Sequence, residues 1–490
     1  MKSNQSRRNF LRLSALSAGF AITHPLSALS VHDTWNKKRG KPQKVLILGA
    51  GMAGMSAALE LIKLGHEVII LEGQSRAGGR IRTLREPFPE GLYADMGAAR
   101  IPENHEWTMK YIKEYDLKLQ LFNPVEGDYI HLMKGKRIRY NSQSPASLDN
   151  YPVNLTSEEL NMGWTGISTA PFQELVAKLG DPKAMDWPPQ SISGYDAYSL
   201  KEFLKQSGYS SEIADLLMIG WETKLGMDMS ILEVMRELSL SFGAPRYKIV
   251  GGNDLLPTRM AGALSDHIQY GSKVLAIEQS ENDVVVHVSK NEQNKKFTAD
   301  RVICTFPLPV IKKMEFMRTL SREKQRAINE LTYWDLSRTV IQVSDRYWKK
   351  DNLNGFAATD RPMEIWDPNY EIDSKRGLIA AYAKNDDSQL MDGWSDKERM
   401  DFAAGQVNKA FPGLMDHFEG GFTKCWKEDP WALGAHSIGT RNQMTALLPH
   451  LIKQEGRVYF AGEHASAYHG WIQGAIESGN RAAKEINSLE

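Results

Sequence analysis

The stretch from Lys44 to Thr83 constrains the fold more than any other. Lys44-Val45-Leu46-Ile47-Leu48 reads as a buried strand, Gly49-Ala50-Gly51-Met52-Ala53-Gly54 follows at once, and an apolar helical pattern runs on to Leu64. A second strand, Glu67 to Leu71, ends at Glu72. This is a βαβ unit with the glycine spacing of a dinucleotide fold. Gly49 permits the tight turn, Gly51 lets backbone approach a pyrophosphate, and Gly54 lets the helix sit close to the sheet. The helix N-terminus offers unpaired N–H groups and a partial positive charge to the phosphates. Glu72 stands where a carboxylate accepts bonds from ribose hydroxyls. Arg76-Ala77-Gly78-Gly79-Arg80-Ile81-Arg82-Thr83 then adds a glycine pair and arginines that a nicotinamide site does not need. Together the two signals point to FAD.

The chain has 490 residues, enough for two or three domains with sizeable cores. Its formal net charge is zero, so no polyanion partner is implied and nucleic-acid binding has no support. The basic run Lys37-Lys38-Arg39-Gly40-Lys41 reads as a solvated linker. The two cysteines, Cys304 and Cys425, belong to no metal-spaced pair, and Cys304 lies in an apolar run that reads as a buried strand. No HExxH, CxxC or EF-hand pattern occurs, so no metal is expected. The N-terminus reads as a processing segment over residues 1–30. Ser6-Arg7-Arg8-Asn9-Phe10-Leu11-Arg12 resembles a twin-arginine export signal, a short apolar run follows, and Ala28-Leu29-Ser30 supplies small residues for cleavage. The expectation is a periplasmic or secreted protein with no membrane anchor, because the apolar run is shorter than the ~20 residues a span requires.

The remaining pattern predicts an α/β chain. An FAD-binding Rossmann-like domain of the glutathione-reductase type is expected from residues 41–81, 246–308 and 444–490. An α+β substrate domain is expected from residues 82–140 and 309–443, and a mainly helical insert from 141–245. Helical periodicity marks His105 to Tyr115 and Ser199 to Leu240, while Lys273 to Glu278 and Val284 to Ser289 alternate as a hairpin. The chain closes with Val458-Tyr459-Phe460-Ala461-Gly462-Glu463, a strand ending in a glycine and an acid. Ser466 to Ile472 follows, and a last helix carries Gly474, Gly479 and Arg481. Those glycines allow close approach of either a ligand or a neighbouring helix.

With these motifs in hand, the chain resembles the flavin-dependent amine oxidase superfamily, and within it the L-amino-acid oxidases. Four stretches carry the resemblance: Lys44 to Thr83, Gly97 to Pro102, Gly251 to Ala263, and Val458 to Arg481. It implies that Gly49, Gly51, Ala53, Gly54 and Glu72 hold the ADP half of FAD, and that Gly78, Gly79 and Arg80 follow the pyrophosphate and ribityl chain. Val274 would meet the adenine, Gly462 and Glu463 the ribityl or phosphate region, and Trp471 and Ile472 the flavin ring. Gly97, Ala98, Ala99 and Arg100 would pass the ring's reactive edge. Arg100 would fork onto a substrate carboxylate, a task that suits a planar guanidinium. The carbonyl of Gly470 would take the amine, with Trp471 walling the pocket. A lysine near the flavin is expected at Lys313, with Lys312 as the fallback. Their stretch is read as a strand, so only one of the two can reach the cavity.

Two positions depart from the family pattern. Ala435 stands where relatives attach FAD through cysteine, so noncovalent FAD is expected, and His436 follows it with a packed, hydrogen-bonded role. The second carboxylate ligand, a tyrosine in relatives, is sought near Ile365 to Pro368, where the candidate is Trp366. The implied reaction converts an L-amino acid and dioxygen to a 2-oxo acid, ammonia and hydrogen peroxide. A polyamine or monoamine oxidase, a decarboxylating amino-acid monooxygenase and a non-catalytic flavin-bearing protein stay open as alternatives, as does a homodimer.

Overall fold

A computed structural model of the chain describes residues 41–141, 146–184, 186–220, 228–241, 243–360 and 363–489. The export-signal stretch lies outside the described residues.

The strand Lys44–Leu48 is the centre of a five-stranded parallel sheet. The order across it is Ile268–Gln269, Glu67–Leu71, Lys44–Leu48, Arg301–Cys304 and Val458–Phe460. Each of the three central strands is apolar at successive positions because both faces are covered, as parallel sheets require. Val45 and Ile47 face one side and pack with the helices Met52–Lys63 and Ile472–Asn487. Leu46 and Leu48 face the other. There they meet an antiparallel meander, Lys273–Gln279, Val284–Lys290 and Gln293–Ala299, and the helix Arg322–Glu330. The hairpin expected from sequence is thus two strands of a three-stranded meander. The question left by Gly479 is settled by packing: a Cβ there would overlap the Ala53 carbonyl oxygen, so this glycine serves contact between the first and last helices. Arg246–Ile249 does not join the parallel sheet. It pairs antiparallel with Ile101–Pro102 and Leu119–Leu121, an alternating strand finding alternating partners.

A seven-stranded sheet forms the second body. Its order is Phe418–Cys425, Leu336–Val343, Gly377–Lys384, Met363–Trp366, Leu353–Thr359, Asp128–Met133 and Lys136–Tyr140. Alternation again sorts its faces. Ile341 and Ile379 pack on the side of the helix Asp396–Ala410, while Val340 and Leu378 pack on the side of the helical stretch. That stretch contains Ser157–Thr169, Leu200–Gln206, Ser211–Gly220 and Ile231–Leu240. Thr156 and Ser199 begin two of these helices with capping boxes that satisfy otherwise orphaned N–H groups. No helix among the described residues is long and apolar enough to cross a membrane.

Candidate active site

A cavity of about 630 Å³ lies where the parallel sheet, the seven-stranded sheet and the helix Ile231–Leu240 meet. One part is built by the βαβ unit. Gly49 has φ 107° and its N–H donates to the Leu71 carbonyl at 2.9 Å, closing the turn. Gly51 caps the helix Met52–Lys63 without a side-chain partner for the first N–H groups. A Cβ on Gly51 would meet nothing within 4 Å, so its bare face opens into the cavity. The Glu72 carboxylate accepts the Ala50 N–H at 2.7 Å and the Gln74 N–H at 2.8 Å. Burial raises its pKa against the pull of those backbone donors. Gly78 and Gly79 both have positive φ, and the Gly78 N–H donates to Ala50 at 2.8 Å. Val274 and Ala53 also line the wall. Free helix N–H groups, an open glycine face and a fixed carboxylate make a donor set that fits a dinucleotide.

Of the residues expected to touch FAD, Gly54 alone stands back from the cavity. A Cβ there would overlap the Gly49 carbonyl oxygen and reach Ile47 at 3.0 Å, so its work is to let helix and strand approach. Arg80 lines the cavity, but its Nη1 is engaged by protein acceptors. These are the Tyr333 hydroxyl at 2.5 Å, the Ala435 carbonyl at 2.6 Å and the Glu463 Oε1 at 2.8 Å. Glu463 also accepts from the Ser437 hydroxyl at 2.7 Å and the Gly470 N–H at 2.9 Å. Burial pushes the Glu463 carboxyl up, but Arg80, His464 and His436 outweigh it and hold it well below the usual range. This carboxylate therefore ties Arg80 to the Gly462–Ile472 wall.

Gly97 to Arg100 run along the same cavity. A Cβ on Gly97 would overlap the Arg80 carbonyl, which explains the glycine. The Arg100 guanidinium lies 4.7 Å from the Phe122 ring and 5.1 Å from the Trp366 ring, and its Nη2 donates to Glu364. Lys384 donates to the other oxygen of Glu364. The expectation for Trp366 fails: it backs Arg100 and lines only a small side pocket. Tyr382 lines the main cavity instead, opposite Glu364 and Arg338 in the sheet register. Register puts Arg338, Glu364, Trp366, Tyr382 and Lys384 on one face, and it is position along that face that differs: Tyr382, Lys384 and Arg338 reach the main cavity and Trp366 does not.

Lys313 lines the cavity and Lys312 does not; its Nζ donates to Asn329 at 2.9 Å. The strand reading of this segment is wrong. Leu308–Ile311 is a helical turn entered through Pro307 and Pro309, and both lysines follow it. Ala435 and His436 line the wall. The His436 Nδ1 lies 2.8 Å from the Ser437 carbonyl, and burial lowers its pKa, so the ring is a neutral donor there.

The helix Ile231–Leu240 contributes a group that sequence reasoning missed. The Glu237 carboxyl lines the cavity and accepts the Trp471 indole N–H at 2.9 Å. Burial, then the charge of Glu233, raises its pKa to about 8. Behind it, Glu233 is fully buried against Arg236 at 2.8 Å and His469 at 2.9 Å. Trp334, Arg338, Tyr382, Lys384 and Glu364 were missed too. Their signal was a polar or charged residue inside an otherwise buried run, such as Met363-Glu364-Ile365-Trp366. Such a residue needs a partner or a ligand.

Residues 52–487 match the family described as Flavin containing amine oxidoreductase. The chain belongs to this family. Among relatives, it is 33% identical over 467 residues to the Bacillus subtilis (strain 168) protein named "Putative L-amino-acid oxidase YobN", covering 91% of this chain and 95% of the relative. It is 30% identical over 463 residues to the L-amino-acid oxidase of Vipera ammodytes ammodytes, covering 92% and 94%. Among solved structures, wild-type putrescine oxidase bound to putrescine shares the fold with a TM-score of 0.77 at 20% identity, over 91% of this chain and 99% of that one. Cyclohexylamine oxidase from Brevibacterium oxydans IH-35A does so with a TM-score of 0.76 at 18% identity, over the same shares. The chain is thus a flavin-dependent amine oxidoreductase, and the family acts on an amine with oxygen.

Proposed function

We propose that this member of the family oxidises L-α-amino acids to 2-oxo acids, ammonia and hydrogen peroxide, with FAD held noncovalently. The observation that carries the reading is Arg100, set in the cavity wall beside Tyr382, Arg338 and Lys384. A simple amine has no use for such a cluster of donors, whereas a carboxylate does. The L-amino-acid oxidases among its relatives support the same reading.

Bound flavin would supply the two-electron acceptor. Arg100 and Tyr382 would grip the carboxylate and the Gly470 carbonyl would orient the amine, so that the chain contributes by positioning. The amine must be neutral to release electrons, and a substrate ammonium must first lose a proton. In its ionised form, which gains population as pH rises towards about 8, Glu237 is suited to take it at Oε1, because Oε2 is already occupied by Trp471. Neither cysteine lines the cavity, which favours noncovalent FAD. Export through the Ser6 to Arg12 stretch is proposed on the sequence alone.

The test is a peroxide assay over the proteinogenic L-amino acids and their decarboxylated amines, with ammonia and 2-oxo acid measured in parallel. Peroxide, ammonia and 2-oxo acid in equal amounts are expected. Turnover of the amines with none of the amino acids would replace this reading by a monoamine or polyamine oxidase.

A further inference from the structure

The cavity wall around Arg100 gathers three cations with a single carboxylate in hydrogen-bond contact. Arg100 and Lys384 share the single carboxylate of Glu364, one oxygen each. Arg338 stands beside them with no carboxylate in hydrogen-bond contact; it donates to the backbone carbonyls of Asp95 and Gly97, and the Asp95 carboxylate, bonded to Thr83 and Asn253, acts on it through space. Its guanidinium lies 4.4 Å from the Tyr382 ring and 4.9 Å from the Trp366 ring, and the Lys384 Nζ lies 5.4 Å from the Tyr382 ring. All of this is buried: the side chains of Arg100, Lys384 and Glu364 are 14%, 12% and 5% exposed. The Nε atoms of Arg100 and Arg338 are buried without an acceptor.

Three cations with one carboxylate in direct contact and a second, Asp95, only at longer range is a costly arrangement away from water, and an entering anion relieves it. The strain is visible in the groups themselves. Burial lowers the pKa of Arg338 and of Lys384, and in both the charge of Arg100 pushes the same way. An α-carboxylate on Arg100 leaves Lys384, in the cavity wall, with only the bond it makes to the shared Glu364.

We propose that the preferred substrates are L-amino acids with a side-chain carboxylate, of the aspartate and glutamate class, and that Lys384 is the residue that recognises that carboxylate. The proposal rests on the amino-acid oxidase reading above and deepens it. The α-carboxylate lies on Arg100 and Tyr382, and the side-chain carboxylate meets Lys384, which faces the cavity.

A cationic side chain is disfavoured on two grounds. Glu364 does not face the main cavity, and both its oxygens already accept from Arg100 and Lys384. Glu237, a carboxyl that does face it, is neutral at neutral pH because burial and Glu233 raise its pKa to about 8.

The experiment compares kcat/KM of the flavin-loaded enzyme for L-aspartate and L-glutamate with that for L-asparagine, L-glutamine, L-leucine and L-lysine. It is repeated with Lys384→Met and Lys384→Arg. The acids should exceed their amides by at least about tenfold, because a site built around a buried charged donor rejects the analogue that leaves it unpaired. Lys384→Met should lower the acid-to-amide ratio by at least about tenfold and Lys384→Arg should restore most of it. If Lys384→Met does not hold flavin, binding to the unaltered enzyme decides. Succinate should perturb the flavin absorbance at concentrations at least about tenfold below butyrate, which lacks the second carboxylate. Equal or better use of leucine or the amides, with equal succinate and butyrate binding, overturns the proposal and leaves the amino-acid oxidase reading standing. Oxidation of decarboxylated amines alone overturns both.

Discussion

Arg100 is the residue on which the proposed activity turns, and the structure gives it two separable jobs. It neutralises Glu364, and it presents a guanidinium to the cavity. Arg100→Met removes both. The first loss is structural: taking one partner from a buried, hydrogen-bonded ion pair costs about 3–5 kcal/mol. Lys384 keeps its bond to Glu364 and leaves that carboxylate compensated, so the expected loss falls below that range. The second loss is functional. A charged hydrogen-bond partner withdrawn from a bound carboxylate costs at least about 2 kcal/mol, or about 30-fold in kcat/KM. The double variant Arg100→Met/Glu364→Gln separates the two. Lys384 then loses its carboxylate, so the comparison for stability is Glu364→Gln alone, in which Arg100 and Lys384 are both left unpaired; the double variant should be the more stable of the two. The kinetic loss should persist, because the substrate still lacks its ligand. Melting temperature, flavin content and the steady-state peroxide assay read these quantities. Recovery of kcat/KM in the double variant would refute the reasoning, since Arg100 would then be only a counter-ion for Glu364.

Other consequences follow from the same geometry. Gly51→Val should abolish flavin retention in a folded protein, because its side chain would occupy open cavity; flavin content after gel filtration, with circular dichroism, checks this. Gly54→Ala should instead lower the yield of folded protein, because its Cβ overlaps the Gly49 carbonyl. Arg80→Met should cost about 3–5 kcal/mol of stability by leaving the buried Glu463 carboxylate without its cation, measured by denaturant unfolding. Lys313→Met should slow turnover by about tenfold or more while Lys312→Met leaves it unchanged, as only Lys313 faces the cavity. The raised pKa of Glu237 has a sign that can be checked. Between the ordinary glutamate value of 4.5 and about 8 the folded protein holds a proton that the unfolded chain releases, so this carboxyl makes stability fall as pH rises through that window. Glu237→Gln should therefore gain melting temperature over the unaltered protein progressively towards pH 8, and parallel pH curves would count against the assignment.

The dinucleotide end was legible because its chemistry is local. The strand Lys44–Leu48, the turn at Gly49 to Gly54 and the strand Glu67–Leu71 lie within one short run, and each glycine answers a backbone requirement that sequence spacing expresses directly. The closing strand and helix were legible for the same reason. The Lys313 segment was misread because apolar periodicity over so short a run cannot distinguish a strand from a proline-entered helical turn. Trp366 was named and Tyr382 was not considered, because sequence proximity to a motif says nothing about which residues reach the cavity.

What the chain by itself determined is the flavin-binding unit and the presence of an arginine at position 100, since both depend on residues a few positions apart. Only the tertiary structure decided what surrounds that arginine. Glu364, Arg338, Tyr382 and Lys384 come from three strands of a distant sheet, and Glu237 comes from a helix in another part of the chain. Each looks like an isolated polar residue in a buried run until pairing register sets it beside the others. The charge balance of the pocket, and hence its choice of substrate, is a sum over residues that meet only in the folded protein.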